Sequence, residues 1–182
     1  MKGKEILQKL CDLIKDKYYP KNDKPVVHRK TVKAVLLNEK NEFCLIHMVG
    51  KDMFGDRDHY ELPGGGVIDG EDFNTTFKRE ILEEVGWDSE VISYIGTIEI
   101  EYNLLNRIDE GNFYLGRILS KRETHLEDYE KELFKELIFV PFEKLECFYK
   151  KHEAKLVGEM IHRRDYLVLK KAKEMLENNL VL

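Results

Sequence analysis

Residues 65–87 read GGVIDGEDFNTTFKREILEEVGW, and this stretch decides how the rest of the chain is interpreted. From Thr75 to Val85 it contains neither proline nor glycine, and Gly86, which tolerates positive φ, is a natural place for a helix to end. Asp72 is a suitable N-cap because its carboxylate can accept the free N–H groups of a first helical turn. The stretch therefore predicts a loop followed by a capped helix.

Three glutamates share one turn of this predicted helix. Glu80, Glu83 and Glu84 stand at positions i, i+3 and i+4, so their carboxylates cluster on one side. An apolar stripe runs beside them, formed by Phe77, Ile81 and Val85. Like charges on one turn repel each other unless a cation lies among them. Taken alone, a glutamate cluster is more often a solvated helix face than a metal site.

The residues before the helix suggest a ligand. Leu62 and Pro63 are followed by three glycines, Gly64, Gly65 and Gly66, which allow tight turns and close approach of backbone to a bound group. Within the helix, Arg79 stands four residues before Glu83 and can pair with it. The glycine run and the glutamate cluster together, at this spacing, favour a metal-assisted site over a solvated surface.

The whole pattern resembles the signature of the Nudix hydrolases, G-x₅-E-x₇-R-E-U-x-E-E-x-G-U, where U is a bulky apolar residue. Its fixed positions are Gly65, Glu71, Arg79, Glu80, Glu83, Glu84 and Gly86, with Ile81 and Trp87 in the apolar slots. The resemblance implies an α/β (α+β) fold, a Nudix-type α/β/α sandwich with a mixed β-sheet. Composition and pattern alone indicate only a mixture of helices and strands.

We predict three segments along the 182 residues: an N-terminal helix and linker at 1–26, a Nudix hydrolase domain at 27–146, and a C-terminal helical extension at 147–182. The first helix is predicted from Lys4 to Tyr18, where apolar residues recur at helical spacing. A polar loop is predicted from Val49 to Asp58. The flanking helices either cap the fold or support a homodimer, and the sequence leaves both open.

Composition limits the partners and the compartment. The net charge is −5, so no general basic field favours a nucleic-acid polymer, and an anionic small molecule needs local cations. The three cysteines are scattered without a Cys-x-x-Cys pair, which favours free thiols in a reducing compartment. We find no signal-peptide pattern and no run long enough to span a membrane, and we expect a cytoplasmic protein.

The resemblance also implies roles for residues. Glu80, Glu83 and Glu84 match the glutamates that bind Mg²⁺, with Mn²⁺ as a substitute, and Glu80, Glu84 and Arg79 are the expected catalytic residues. Gly64 and Gly65 match the loop at the substrate, while Glu71 matches a residue that holds this loop in place.

Two further roles are open. The general base can be a signature glutamate or a later one, and the later candidates are Glu99, Glu101, Glu130, Glu132 and Glu136. We favour Glu101 among these, against the alternative that all five are surface charges. Arg29 and Arg57 are candidate phosphate contacts because a guanidinium binds phosphate in a fork, with plain surface charge as the alternative.

The expected activity is Mg²⁺-dependent hydrolysis of the pyrophosphate linkage in a nucleoside diphosphate joined to another group. A nucleoside triphosphate is the first choice of substrate, and ADP-ribose or a dinucleoside polyphosphate is the alternative. A second alternative is a nucleotide-sensing protein of the same fold without turnover, and isomerase chemistry is a third that the signature does not favour.

Overall fold

The computed structural model of the chain describes residues 8–126 and 128–178. For residues 128–130 it describes the backbone alone. The strands are β1 Val27–Leu37, β2 Phe43–Asp52, β3 Gly55–Glu61, β4 Trp87–Tyr102, β5 Arg107–Lys121 and β6 Phe134–Val140. The α-helices are α1 Phe73–Glu80, α2 Asp128–Leu133, α3 Leu145–Lys151 and α4 Val157–Glu177. Two other helical turns complete the set, a π-helical turn Ile81–Val85 that continues α1 and a 3₁₀ turn Phe142–Lys144.

The six strands form one mixed sheet in the order β3-β2-β1-β5-β4, with β6 paired to the other side of β2. The pairing of β1 with β5 is parallel, and the other pairings are antiparallel. The predicted mixed sheet is confirmed. β1 lies in its middle, so a side chain on β1 can reach elements on either face of the sheet.

Helices cover both faces of the sheet, as the predicted sandwich requires. On one face, Phe77 and Ile81 of the signature helix pack against Val32 and Leu36 of β1. On the opposite face, α4 contributes its own apolar side chains to a larger core: Val157, Met160, Ile161, Val168, Leu169, Ala172 and Met175. No helix within residues 8–126 and 128–178 has the length and apolar character needed to cross a membrane.

The signature helix begins and ends where the sequence predicts. Asp72 is the N-cap, and its side chain accepts a hydrogen bond of 2.7 Å from the Thr75 N–H. Gly86 ends the helix with φ at 72°, in the left-handed region. The last turn, Ile81–Val85, is π-helical and not α-helical as its spacing suggests. Such π-helical turns are frequently found at functional sites.

The predicted N-terminal helix is wrong over the residues that the structure describes; its first residues, 4–7, lie outside them. Residues 8–14 instead run parallel to β4, with bridges from Lys9 to Thr97 and from Ile14 to Ile100. The physical reason is that the outer edge of β4 offers unpaired backbone groups, which this segment satisfies. Ile14 is buried there. The apolar residues that recur at helical spacing in this segment are therefore explained by burial at the sheet edge and not by a helix.

The predicted loop at Val49–Asp58 is also wrong, because it is a β-hairpin. β2 continues to Asp52 and β3 starts at Gly55, and these two residues pair across a tight turn. Gly55 has φ at 91°, which the turn requires and which glycine adopts without strain. The polar residues of this segment therefore belong to a hairpin, in which Asp56 and Asp58 are exposed.

Helix α4 is fastened to β3 by side chains that bind backbone groups. His162 Nε2 accepts a hydrogen bond of 3.0 Å from the Tyr60 N–H, and Asp165 accepts one of 2.9 Å from the Leu62 N–H. Both side chains are buried. Leu62 leads directly into the glycine run, so α4 fixes the end of β3 that positions this loop.

The contact of His162 predicts a pH dependence of stability. Burial, reinforced by the charge of His59, lowers the pKa of His162 to about 4. A histidine with a lowered folded-state pKa is protonated first in the unfolded chain, so its contribution to stability is present above pH 6.5 and is lost as the pH falls toward 4. Between pH 7 and pH 5 the expected loss from this residue is about 2 kcal/mol.

The measurement is urea denaturation of the wild type and His162→Gln at both pH values. We expect the fall in unfolding free energy to be smaller in His162→Gln. His28→Gln, at an exposed histidine, is the control and should behave as the wild type does. An equal fall in all three proteins would show that His162 does not carry the effect.

Candidate active site

The glycine run is attached to the edge of β1 by backbone hydrogen bonds. The N–H groups of Val32 and Ala34 donate to the carbonyls of Gly65 and Pro63, each at 2.9 Å. Gly64 has φ at 123°, and a Cβ there would lie 2.2 Å from the Val32 carbonyl oxygen. Only glycine therefore fits at this position. The backbone hydrogen bonds hold the loop against β1.

The signature carboxylates close around this loop. The Gly64 N–H donates to Glu84 Oε2 at 2.6 Å. Glu80 packs against Gly65 so closely that a Cβ on this glycine would lie 2.5 Å from Glu80 Oε2. Glu80 and Glu84 are buried, whereas the Glu83 side chain is 39% exposed. The three glutamates thus present one open and two buried carboxylates.

Arg79 joins the loop to the helix through one guanidinium group. Its Nη1 donates to Glu80 at 2.8 Å and to Glu83 at 3.0 Å, and its Nη2 donates to the Gly66 carbonyl at 3.0 Å. Its Nε donates to Glu71 at 2.8 Å, and Nη2 reaches the second oxygen of the same carboxylate at 3.0 Å. The predicted pairing of Arg79 with Glu83 is present, together with three contacts that the spacing did not reveal.

The carboxylates near the loop differ in their affinity for protons. Burial raises the pKa of Glu80, and it raises the pKa of Glu84 to about 8 against the opposing charge of Lys33. Burial acts in the same sense on Glu61, but Lys33 and a hydrogen bond from His59 outweigh it and hold the pKa of Glu61 well below its usual range. Glu61 is therefore charged at neutral pH. The positive charge around Glu84 is too small to lower its pKa in the same way.

A divalent cation would supply that charge. Carboxylate oxygens suit Mg²⁺, which completes its shell with waters and substrate phosphates and seldom needs a cage made of protein alone. Within the described part of the chain, no three His, Cys, Asp or Glu side chains form a ready-made metal cage. Glu80 and Glu83 are turned toward Arg79, and Glu84 toward Gly64. The donor types fit a cation that is held jointly with substrate.

A cavity of about 310 Å³ opens beside the carboxylates. The predicted site residues that line it are Arg29, Arg57, Gly64, Gly65, Arg79, Glu80, Glu83 and Glu84. The sequence therefore identified a set of residues that the fold brings to one cavity. Their individual roles stay predictions.

Other lining residues come from outside the signature. They include Lys33 of β1, Phe54 and Glu61 of the β2–β3 hairpin, Tyr102, Arg107 and Asp109 at the β4–β5 turn, and Arg164 of α4. One signal could have identified Lys33, because Arg29, Thr31 and Lys33 share one face of β1 by parity and all three line the cavity. No local pattern marks Arg164, which reaches the cavity from the helix predicted as an extension.

The preference for Glu101 as general base is corrected by its position. Successive side chains of a strand point to opposite faces, so Tyr102 lines the cavity and Glu101 does not. Glu101 pairs instead with Lys21 of the N-terminal segment at 2.6 Å. Glu99 likewise pairs with Lys9, and Glu136 with His47.

The remaining later candidates do not replace Glu101. Glu132 is exposed and does not line the cavity, and the side chain of Glu130 lies outside the described residues. Among carboxylates that do line the cavity, Glu61 is the one that lies close to Glu84 without belonging to the helix.

Comparisons with known proteins agree with this geometry. A family model described as the NUDIX domain matches residues 27–162. A comparison with curated proteins gives no match. The chain is similar in structure to the MutT protein of Methanosarcina mazei Go1, with 21% identity, a TM-score of 0.60, and coverage of 84% of this chain and 97% of the other.

Two further solved structures are similar. An ADP compounds hydrolase has 18% identity and a TM-score of 0.60, with 83% of this chain and 74% of the other covered. A UDP-X diphosphatase has 16% identity and a TM-score of 0.55, with 87% of this chain and 67% of the other covered. These likenesses concern the fold.

The contacts of Arg79 predict a specific loss of stability. Lysine keeps the charge but cannot bind Glu71 with two nitrogens while also reaching Gly66, so Arg79→Lys should lower the unfolding free energy by about 1–3 kcal/mol. Arg122→Lys is the matched control, because its ion pair with Asp88 is exposed and should contribute below about 1 kcal/mol. Urea denaturation measures both. Equal losses in the two variants would contradict a stabilising role for the Arg79 network.

Proposed function

The chain belongs to the Nudix family of pyrophosphate-cleaving hydrolases, and we propose that it uses Mg²⁺ to hydrolyse the pyrophosphate linkage of a nucleoside diphosphate joined to another group. The observation that supports this most strongly is the convergence of Glu80, Glu83 and Glu84 with the glycine run at one cavity. Mn²⁺ is the expected substitute. A homodimer and a cytoplasmic location stay predictions from the sequence.

Binding of the substrate would depend on the cations around the loop. Arg29 lies against Gly66, and Lys33 stands on the same face of β1. Their positive charges would offset the negative charges of the phosphates. The rigid loop would fix the distance between these two cations and Glu80. A cavity that is lined by cations beside the glycine run fits a substrate with two or more adjacent phosphates.

The metal would be held by Glu80, Glu83 and Glu84. When bound, Mg²⁺ neutralises charge that develops on the phosphate oxygens and lowers the pKa of a coordinated water. Arg79 would keep Glu80 and Glu83 oriented, since it binds both carboxylates and the loop carbonyl of Gly66.

The proton of the attacking water needs an acceptor in the cavity. Glu61 and Glu84 are the two candidates, and they differ in environment. Glu61 is charged and faces Lys33, whereas Glu84 is buried beside the Gly64 N–H. We propose that Glu84 takes part in the reaction, as the signature implies, with Glu61 as the alternative acceptor of the proton.

The substrate stays open within this class. A nucleoside triphosphate is the first choice from the sequence, and ADP-ribose or a dinucleoside polyphosphate is the alternative. Similar folds are found in an ADP compounds hydrolase and a UDP-X diphosphatase, so the architecture is compatible with several groups beside the diphosphate. A nucleotide sensor without turnover is the weaker proposal, because every signature glutamate is retained.

The proposal predicts the behaviour of Glu84→Gln. Because burial already favours an uncharged carboxyl at this position, the amide should leave the fold and the melting temperature essentially unchanged. Turnover should fall by about 100-fold or more, since a metal ligand or proton acceptor is lost. The measurement is phosphate-product release with Mg²⁺ or Mn²⁺ across nucleoside triphosphates, dinucleotides and nucleotide sugars.

Glu61→Gln is the matched comparison. If Glu61 accepts the proton, Glu61→Gln loses turnover and the acidic limb of its pH profile while metal affinity is kept. If Glu84 accepts the proton, the acidic limb of the pH profile is lost in Glu84→Gln and kept in Glu61→Gln. Near-normal turnover in Glu84→Gln would remove it from the mechanism. An absence of product from the wild type over the whole panel would favour the sensor.

A further inference from the structure

The end of the cavity away from the signature carboxylates has its own chemistry. Arg57, Arg107 and Arg164 line it together with the rings of Phe54 and Tyr102. We call this set the arginine end of the cavity. Electrostatic contacts run from Glu84 to Glu61, and from Glu61 to Arg164 and Tyr102, so Glu61 lies between the two ends. A substrate whose diphosphate lies at the carboxylates would extend past Glu61 into the arginine end.

Each guanidinium at this end is held in place by an aromatic ring. Arg57 lies 5.2 Å from the centre of the Phe54 ring, Arg107 lies 5.7 Å from that of Tyr102, and Arg164 lies 5.8 Å from that of Phe113. Such contacts fix the planar group and reduce the entropy lost when it binds a ligand.

Two of these arginines retain donors that the described protein does not use. Arg164 donates from Nε to Asp165 at 2.6 Å, but among the described residues its buried Nη2 has no hydrogen-bond partner. Arg57 has its Nε 3.1 Å from Asp52, while its buried Nη1 has no partner within the same part of the chain. A buried donor without a partner is costly, which indicates that a ligand atom completes these groups.

The acids that pair directly with Arg57 and Arg164 do not line the cavity, whereas Glu61, which does line it, acts on Arg164 through its charge alone. Asp52 and Asp165 anchor Arg57 and Arg164 but do not line it, whereas both guanidinium groups do. Arg107 is paired within the cavity, with Asp109 at 2.6 Å. Arg57 and Arg164 thus present positive charge to a ligand. Asp52 and Asp165 hold the two guanidinium groups from the side away from the cavity.

Resting on the proposed function, we propose that the group joined to the nucleoside diphosphate carries a second anionic oxygen group, which Arg57 and Arg164 bind at the arginine end of the cavity. A carboxylate and a phosphate share the required chemistry, because both accept hydrogen bonds from a guanidinium with two oxygens. The two arginines are then specificity-determining residues that act on the part of the substrate remote from the cleaved bond.

Two pairs of substrates that differ only in this group provide the test. UDP-glucose and UDP-glucuronate differ by a carboxylate, and ADP-ribose and ADP-ribose 1″-phosphate differ by a phosphate. We expect kcat/KM to favour the anionic member of at least one pair by about ten-fold or more, which corresponds to about 1.4 kcal/mol. The pair that shows the preference identifies the anion.

The variants Arg57→Gln and Arg164→Gln should reduce this preference to near unity, because they lower kcat/KM for the anionic member more than for the neutral member. Arg117→Gln is the control, since Arg117 contacts Asn41 on the surface and does not line the cavity. Melting temperatures show whether each variant folds. If Arg164→Gln does not fold, because Arg164 is buried against Asp165, Arg57→Gln decides the question.

Binding gives a readout that does not depend on turnover. Calorimetric titration of the Glu84→Gln protein with the same four compounds should show the same preference for the anionic member. Equal affinity and equal kcat/KM within both pairs, or a preference that survives Arg57→Gln, would overturn the inference. An absence of hydrolysis with a clear binding preference would instead overturn the proposed function and leave the anion site intact.

Discussion

The candidate site depends on one guanidinium group. Three glutamates within one helical turn repel each other, and two of them are buried, where a carboxylate without a partner is unfavourable. Arg79 offsets this by binding Glu80 and Glu83, and it reaches back to Glu71 and to the Gly66 carbonyl before the helix. The loop and the helix are therefore one unit, in which Arg79 positions Glu80 and Glu83 while the Gly64 N–H holds Glu84.

This unit is positioned by the sheet and by α4. The glycine run bonds to β1 along one edge, and the end of β3 that leads into it is held by His162 and Asp165. Residues that come late in the chain thereby fix the geometry of a site encoded near its middle. The same helix places Arg164 in the cavity, so the element that supports the loop also contributes to what the cavity can bind.

What the sequence predicts well is local. Asp72, Gly86 and the stripe of Phe77 and Ile81 act within one helix and its immediate neighbour, so their spacing determines their role. What it does not predict is set by pairing between distant segments. The N-terminal segment has helical spacing, yet the open edge of β4 offers hydrogen bonds that a lone helix lacks, and a strand-like course results. The π-helical turn and the hairpin at Asp52–Gly55 likewise depend on contacts beyond the segment itself.

The same distinction separates the bond that is cleaved from the group that is recognised. The signature residues are close in sequence, and they form the loop and the carboxylate cluster to which the proposed metal and phosphates would bind. The arginine end of the cavity is assembled from the β2–β3 hairpin, the β4–β5 turn and α4, which meet only in the folded chain. Arg57, Arg107 and Arg164 pair with acids outside the Arg79 network. Residues apart from the signature therefore define this end of the cavity, and the donors of Arg57 and Arg164 that lack partners among the described residues are the basis of the proposed anion site.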